Sequence, residues 1–125
     1  MYGYTPTNTF KVYTAGSGRI RGILKDCEGD LILQAQVASI TLTIFQYGMG
    51  QYTAVPNYTA ASIPITAILD QPATDCEGRE FNLDFDPYDG EHPPFPTRNA
   101  FYVIELVFTS TNGTKSVHQI QAQSV

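Results

Sequence analysis

Charged side chains are scarce in this sequence. They make up 15% of the residues, whereas an average soluble domain has about 25%. The seven Lys and Arg residues are scattered along the chain and are outnumbered by twelve Asp and Glu residues, which gives a net charge of −5. Proteins that bind nucleic acid gain much of their affinity by neutralising phosphates. The composition therefore predicts that this protein has no nucleic-acid partner.

Long apolar runs are missing as well, and so is helical periodicity. No stretch approaches the roughly 18 apolar residues that a membrane-spanning helix needs, so no membrane partner is predicted. The N-terminal residues lack the charged-then-apolar order of a signal peptide, which predicts synthesis in the cytoplasm. Apolar residues do not recur at helical spacing, while β-branched and aromatic residues occur throughout. This pattern predicts an all-β fold.

The length of 125 residues predicts a single domain. Hydrophobic residues make up 42% of the chain, which is enough to form a core. Residues 1–18 are polar, rich in Tyr and Thr, and end in a Gly-rich stretch. We therefore expect an extended N-terminal arm at residues 1–18 and a folded domain at residues 19–125.

Alternating apolar and polar residues predict about seven strands in that domain. They are expected at residues 19–24, 31–37, 39–47, 63–69, 81–85, 102–108 and 117–122. Short strands joined by turn-like connections predict a single antiparallel β-sandwich of immunoglobulin-like type, with a small barrel as the alternative.

Three details of this strand pattern can be tested separately. Phe81, Leu83 and Phe85 are expected to face inward, which would leave Asn82 facing solvent. Residues 48–57, rich in Gly and Tyr, are expected to form a loop. The pair Asn112-Gly113 is typical of a two-residue hairpin turn.

One four-residue motif occurs twice, at residues 26–29 and 75–78, and reads Asp-Cys-Glu-Gly both times. An Asp side chain can accept a hydrogen bond from the backbone two residues on, and Gly readily adopts a positive φ, so the motif predicts a turn. Three interpretations stay open: two similar turns, a pseudo-twofold duplication, or a repeat that exists for its cysteines.

The two cysteines, Cys27 and Cys76, lie in that repeat. They can form a disulfide if their turns meet at one end of the sandwich, whereas a chain made in a reducing compartment favours free thiols. Two such cysteines, with His92 and His118 as the remaining soft donors, lack the spacing of a zinc site. We expect no metal and no other cofactor.

Acidic residues are densest around the end of the fifth predicted strand, with Asp84, Asp86, Asp89, Glu91 and His92 close together. Their spacing does not match that of a calcium-binding loop, so we interpret the cluster as a solvated acidic loop. Neither histidine lies in a recognisable nucleophile–base signature. The sequence therefore predicts no catalytic residue and no enzyme activity.

The longest connection, residues 86–99, holds four of the eight prolines. Prolines stiffen a segment, so it loses little entropy on docking. Tyr88 and Phe95 have no alternating partners in a strand. Two interpretations stay open: Phe95 covers one end of the sandwich, or Tyr88 and Phe95 point outward into a neighbouring subunit.

Two stretches carry a resemblance to a known family. RGILKDCEGDLILQAQVASITLTIFQ, residues 21–46, and AFYVIELVFTSTNGTKSVHQI, residues 100–120, resemble immunoglobulin-like β-sandwich domains of tailed-phage structural proteins, notably the N-terminal domain of baseplate upper proteins. The resemblance covers about residues 19–122. It implies a non-enzymatic structural protein, made in the host cytoplasm and located in the virion.

Within that family, a sandwich with a leading arm and no downstream stalk favours a capsid decoration (cement) protein. Its implied partners are other virion structural proteins, either the major capsid protein or tail and baseplate subunits, and it is expected as a homo-oligomer or in many copies. A tail, neck or baseplate module is the first alternative. The second is a glycan- or receptor-binding sandwich with Tyr47, Tyr52 and Tyr58 as an aromatic platform. The interface candidates are Tyr2, Tyr4, Phe10, Tyr13, Tyr52, Tyr58, Tyr88 and Phe95.

Overall fold

The fold is a β-sandwich. A computed structural model describes the backbone of residues 10–12 and all atoms of residues 19–26 and 28–125. These residues form strands and two short 3-10 turns but no α-helix, and the strands lie in two sheets packed against each other. The predicted all-β sandwich is confirmed, while its immunoglobulin-like type stays a prediction.

Nine strands are present in the described residues. They are β1 Phe10–Val12, β2 Ile20–Gly22, β3 Val37–Gly48, β4 Gln51–Ala54, β5 Ala61–Ile63, β6 Ile68–Thr74, β7 Glu80–Phe85, β8 Phe101–Ser110 and β9 Lys115–Ser124. Of these, β3, β8 and β9 are the longest. The 3-10 turns are Gln34–Gln36, before β3, and Ile65–Ala67, between β5 and β6.

The larger sheet has the order β1-β9-β8-β3-β4, and β5 also pairs with β3. Its centre is a long antiparallel ladder in which β3, β8 and β9 lie side by side. The smaller sheet has the order β2-β7-β6 and is antiparallel. One pairing departs from the antiparallel pattern: β1, which lies inside the segment predicted as an arm, runs parallel to the end of β9.

The core lies between the two sheets. The inward residues of β3, β8 and β9 meet those of the smaller sheet, and the largest are almost fully buried. The predicted alternation holds on these long strands, because Ile40, Leu42 and Ile44 are buried while their neighbours are not. Burying an aliphatic side chain stabilises a fold by roughly 1.5–3 kcal/mol, so this ladder supplies much of the driving force.

The strand predicted at residues 31–37 is not one. Leu31 makes an isolated bridge to Lys25, and the chain then turns through Gln34–Gln36, which leaves Leu33 exposed. Side chains replace the strand's hydrogen bonds here: the Gln36 Oε1 accepts from the Leu33 N–H at 2.8 Å, and Asp70 Oδ1 accepts from the Gln34 N–H at 2.8 Å.

The loop predicted at residues 48–57 begins instead with a tight hairpin between β3 and β4. Gly48 pairs with Gln51, so the connection has only Met49 and Gly50. Both have positive φ, 52° and 76°, which is the geometry of a two-residue primed turn. Met is an unusual residue for the first of these positions, so the sequence pattern did not reveal the turn.

The strand predicted at residues 63–69 is two strands in different sheets. β5 pairs with β3 in the larger sheet, whereas β6 pairs with β7 in the smaller one. Pro64, which cannot donate a backbone hydrogen bond, ends β5, and the chain crosses between the sheets through the 3-10 turn Ile65–Ala67.

The repeated Asp-Cys-Glu-Gly motif forms two similar turns, as the first interpretation predicted. Asp26 Oδ1 accepts from the backbone N–H groups of residues 28 and 30, and Asp75 Oδ1 accepts from those of residues 77 and 79, at 2.9–3.0 Å. Gly29 and Gly78 have φ of 88° and 82°, which an L side chain would adopt only with strain. Hydrogen bonds from these backbone N–H groups lower the pKa of Asp75.

Asn82 does not face solvent, and that prediction was wrong. Phe81, Leu83 and Phe85 are buried as expected, but Asn82 is fully buried beside them. Its Oδ1 accepts from the Leu24 N–H at 2.6 Å, and its Nδ2 donates to the Leu24 carbonyl at 3.0 Å. The amide pairs with Leu24 as a backbone strand would, because β2 has stopped pairing with β7 at Gly22.

Candidate interaction surface

Four exposed apolar side chains lie together at one end of the larger sheet. We call Tyr47, Met49, Tyr52 and Phe101 the aromatic end. Tyr47 is the centre, because it pairs with Tyr52 of β4 on one side and with Phe101 of β8 on the other. The three rings are 44%, 61% and 54% exposed, respectively. Side chains directly opposite on neighbouring strands are close enough to touch, so the rings form one surface.

The hairpin turn carries this surface to the edge of the molecule. Met49 at the turn is completely exposed, and the Tyr47 and Tyr52 rings behind it lie 5.0 Å apart, tilted by 54°. An aromatic pair held at this distance is a rigid contact surface that loses little entropy on binding. The flexible Met side chain beside it can adapt to an irregular partner.

The outer face of the sheet continues the apolar surface toward β9. Phe45, Tyr52, Val103 and Gln119 line a shallow depression of about 310 Å³. Glu105 is on the same strand as Phe101 and Val103, and is flanked by Thr43 and Gln119 of the neighbouring strands. It lies roughly 13 Å along β8 from Phe101, at about 3.4 Å per residue. The aromatic end itself holds no charged side chain.

The predicted interface residues fall into four groups. Tyr52 belongs to the aromatic end, and Tyr88 is half-buried. Tyr58 and Phe95 are buried, with 2% and 0% of their surface exposed, so the structure contradicts their assignment as outward contacts. The side chains of Tyr2, Tyr4, Phe10 and Tyr13 lie outside the described residues.

Phe95 covers one end of the sandwich, which is the first of the two interpretations of residues 86–99. Its ring packs edge-on against Tyr102, with centroids 5.1 Å apart. The Tyr102 hydroxyl accepts from the Thr97 N–H at 2.7 Å and donates to the Thr97 carbonyl at 3.1 Å. Ser124 Oγ donates to the same carbonyl at 2.5 Å. The proline-rich segment is therefore fastened to β8 and β9.

Tyr58 fastens the first half of that segment and is not part of an aromatic platform. Its hydroxyl donates to the His92 carbonyl at 2.5 Å and accepts from the Asp89 N–H at 3.2 Å. Burial raises the pKa of this hydroxyl, which keeps it protonated as the donor. A polar tip with two backbone partners explains how a tyrosine can be buried at this position.

The acidic cluster divides into two separate networks. Asp84 binds Arg19 and Arg21, with Oδ1 at 2.7 Å and 3.3 Å from their Nε atoms. Asp89 accepts from the backbone N–H groups of residues 91 and 92 and contacts His92 Nδ1 at 2.9 Å. The bonds from His92 lower the pKa of Asp89, and Asp89 raises the pKa of His92. Within the residues described, no group of three His, Cys, Asp or Glu is placed to hold a metal.

Cys76 is exposed in its turn. Cys27 lies outside the described residues. The disulfide between them therefore stays a prediction, as does its alternative of two free thiols.

His118 is a buried titratable group in the core. It lies on the inner side of β9, 1% exposed, with its ring edge-on to Phe108 at 5.0 Å. Burial lowers its pKa below the ordinary value of 6.5, because the charged form is poorly solvated there.

This burial predicts how stability depends on pH. Below pH 6.5 His118 becomes protonated in the unfolded chain but not in the folded chain. The free energy of unfolding therefore decreases as the pH is lowered, by at most about 1.4 kcal/mol per pH unit. The loss of stability should continue until the pH reaches the pKa of His118 in the folded protein. Urea unfolding of wild type and His118→Gln between pH 7.5 and 5 measures it, and the slope should be smaller in the variant.

His92→Gln is the control, because the pKa of His92 is shifted in the opposite direction. His92 stabilises the fold at low pH, and that contribution disappears as the pH rises through its folded pKa. Removing it should therefore make the loss of stability on acidification steeper. Equal slopes in wild type and His118→Gln would contradict the assignment.

The sequence reading missed Met49 and Phe101, although a signal for the surface was present. No charged side chain occurs between Asp30 and Asp70, and this span contains β3, β4 and β5. An uncharged stretch that includes an exposed sheet edge is unusual, since soluble proteins normally place charges there.

Comparison with known proteins identifies no relative: no protein-family model, no curated protein and no solved structure matches the chain. In the part of the chain that the structure describes, no helix is long and apolar enough to cross a membrane.

Proposed function

We propose that this protein is a non-enzymatic structural component of a tailed-phage virion, and that it acts as a capsid decoration protein by binding other shell subunits. The observation that carries the proposal is the aromatic end, where Tyr47, Tyr52 and Phe101 are exposed side by side and no member of the cluster is charged. Aromatic residues and Met are enriched in the cores of protein interfaces, whereas Lys, Glu and Asp are depleted there.

Two further observations support an assembly role. The resemblance of residues 21–46 and 100–120 to phage sandwich domains points to the virion. The low proportion of charged residues, 15%, suits a protein whose surface is largely covered by neighbours. A tail, neck or baseplate position rests on the same observations and remains the alternative within this class.

A protein inventory of purified particles tests the proposal. Particles from the producing host are separated on a density gradient, and their proteins are identified and counted by mass spectrometry. A decoration protein should co-migrate with the major shell protein at a fixed, high copy number, whereas a baseplate or neck module should occur in few copies. Finding the chain only in the soluble fraction would contradict both.

The mutational test adds purified protein back to particles that lack it and measures how tightly it rebinds. Tyr52→Ala and Phe101→Ala remove exposed rings of the aromatic end and should weaken rebinding by about 2 kcal/mol or more each, as interface aromatic residues do. Val117→Ala is the control, because Val117 is also exposed on the outer face of the sheet but lies near the start of β9, away from the aromatic end. Equal rebinding by all three variants would exclude the aromatic end as the contact.

Glycan binding is the second candidate, and the Tyr47–Tyr52 ring pair favours it. Exposed aromatic rings can stack on the apolar face of a sugar, and Gln119 and Thr43 of the same sheet face offer hydrogen-bonding groups. Tyr58 no longer belongs to this platform because it is buried. Binding to a glycan array that is lost in Tyr52→Ala, by a protein absent from particles, would favour this function.

A further inference from the structure

The edge of the larger sheet at β4 lacks several of the usual protections against pairing. β4 is the last strand in the sheet order, and all four of its residues, Gln51–Ala54, are exposed. Natural proteins protect such an edge by keeping it short, by covering it, or with a charged side chain, a proline or a bulge. β4 is short, but it has no charged residue and no proline, and it pairs with β3 without a register shift.

The strands at this edge carry no charged side chain. All twelve acidic residues fall outside the span 31–69, which contains β3, β4 and β5, and several are concentrated in the turns at residues 26–30 and 75–80 that flank the smaller sheet. Two molecules with a net charge of −5 each repel one another when they meet through their acidic turns. A second copy that approaches along β4 meets uncharged strands instead of these turns.

We propose that β4 is a homotypic interface, at which two copies of the chain pair β4 to β4 in antiparallel orientation about a twofold axis. The two larger sheets then join into one continuous sheet. This goes beyond the proposed function, because it concerns contacts between copies of this chain whatever else they bind.

The residues of β4 suit this pairing. With the axis at Thr53, the Thr53 residues of the two copies lie opposite each other and Tyr52 lies opposite Ala54 of the second copy, so opposite side chains share a face and no like charges meet. A twofold axis perpendicular to the sheet also keeps the same face outward in both copies. The two aromatic ends become neighbours on one face, and the two Tyr52 side chains lie on the diagonal, within reach of each other.

Sedimentation velocity of the full-length protein from low micromolar to several hundred micromolar concentration tests the proposal. We expect reversible, concentration-dependent formation of a dimer. Hydrogen exchange provides the local readout: the amides of residues 51–54 should become more protected as the dimer forms. A protein that stays monomeric over the whole range, or a dimer without added protection in β4, would overturn the proposal.

Thr53→Lys is the decisive variant. It places two like charges directly opposite each other across the proposed axis and should weaken dimerisation by about tenfold or more, equivalent to about 1.4 kcal/mol. Thermal unfolding of the monomer should change little, because Thr53 is exposed, and this measurement separates loss of pairing from loss of folding.

Thr74→Lys is the matched control. Thr74 is also exposed and also lies on an edge strand, but in the smaller sheet, so the same substitution should leave dimerisation unchanged. If both variants weaken the dimer equally, the effect is not specific to β4 and the proposal fails. If Phe101→Lys removes the dimer while Thr53→Lys leaves it intact, the copies meet face to face and edge pairing is wrong.

Discussion

Replacing Phe95 with alanine should destabilise the isolated protein by about 3–5 kcal/mol, the range for a buried Phe. The side chain is completely buried and its ring packs edge-on against Tyr102. The surrounding segment is fastened by hydrogen bonds and stiffened by proline, so we expect it to collapse poorly into the space left behind. Thermal unfolding should show a decrease in Tm of roughly 10 °C or more.

Phe101→Ala is the matched control for this experiment. It removes the same atoms from a ring that is about half exposed, and we expect a loss of stability well below that of Phe95→Ala. The two variants should behave oppositely in binding. Phe101→Ala should weaken docking, whereas Phe95→Ala should dock normally at a temperature at which it is folded. A stable Phe95→Ala protein with impaired docking would show that the ring faces a partner.

Removing the Asn82 amide should cost about 1–3 kcal/mol. In Asn82→Ala the Leu24 N–H loses its partner in a buried place, while the Leu24 carbonyl keeps the bond from the Ile32 N–H, and an unsatisfied buried group costs roughly 1–3 kcal/mol. The effect should appear in equilibrium urea unfolding as a lower midpoint at an unchanged slope. Glu80→Ala on the same strand is the control, because Glu80 is exposed and its loss should change stability by no more than about 0.5 kcal/mol.

Asn82→Asp separates the two hydrogen bonds. The carboxylate can still accept from the Leu24 N–H, but it presents an oxygen to the Leu24 carbonyl and is buried as a charge, so its pKa should rise in the folded state. A group whose folded pKa is raised stabilises the protein at low pH and loses that contribution as pH rises. The deficit of this variant relative to wild type should therefore shrink on acidification. A deficit independent of pH would contradict the assigned amide geometry.

Local sequence signals were reliable where neighbouring residues alone decide the structure. The Asp-Cys-Glu-Gly turns are one example, because the Asp side chain bonds to backbone within the same few residues and Gly supplies the positive φ. The alternation along β3 and β8 is another, since a long strand with one buried face reveals that face by its period of two. These signals were enough to predict the β-sandwich.

The wrong predictions concern residues whose environment is set by distant parts of the chain. Asn82 looked like an outward polar residue, but Leu24, which reaches it only in the folded state, needs its amide. Residues 63–69 looked like one strand, and only the two-sheet arrangement shows that the chain crosses between sheets at Pro64. Tyr58 and Phe95 looked like free aromatic residues because no local sequence pattern links them to their partners. Tyr58 bonds to His92, and Phe95 packs against Tyr102.

The sequence by itself determined that the chain forms a β-sandwich with few charged groups, because strand periodicity and composition are properties of the chain that need no knowledge of contacts. Only the tertiary structure decided which aromatic residues are exposed. Tyr47, Tyr52 and Phe101 come from three strands, and the register of the ladder brings them together at one end of the larger sheet. Exposure depends on what packs against each ring, and among the described residues these three rings stay about half exposed.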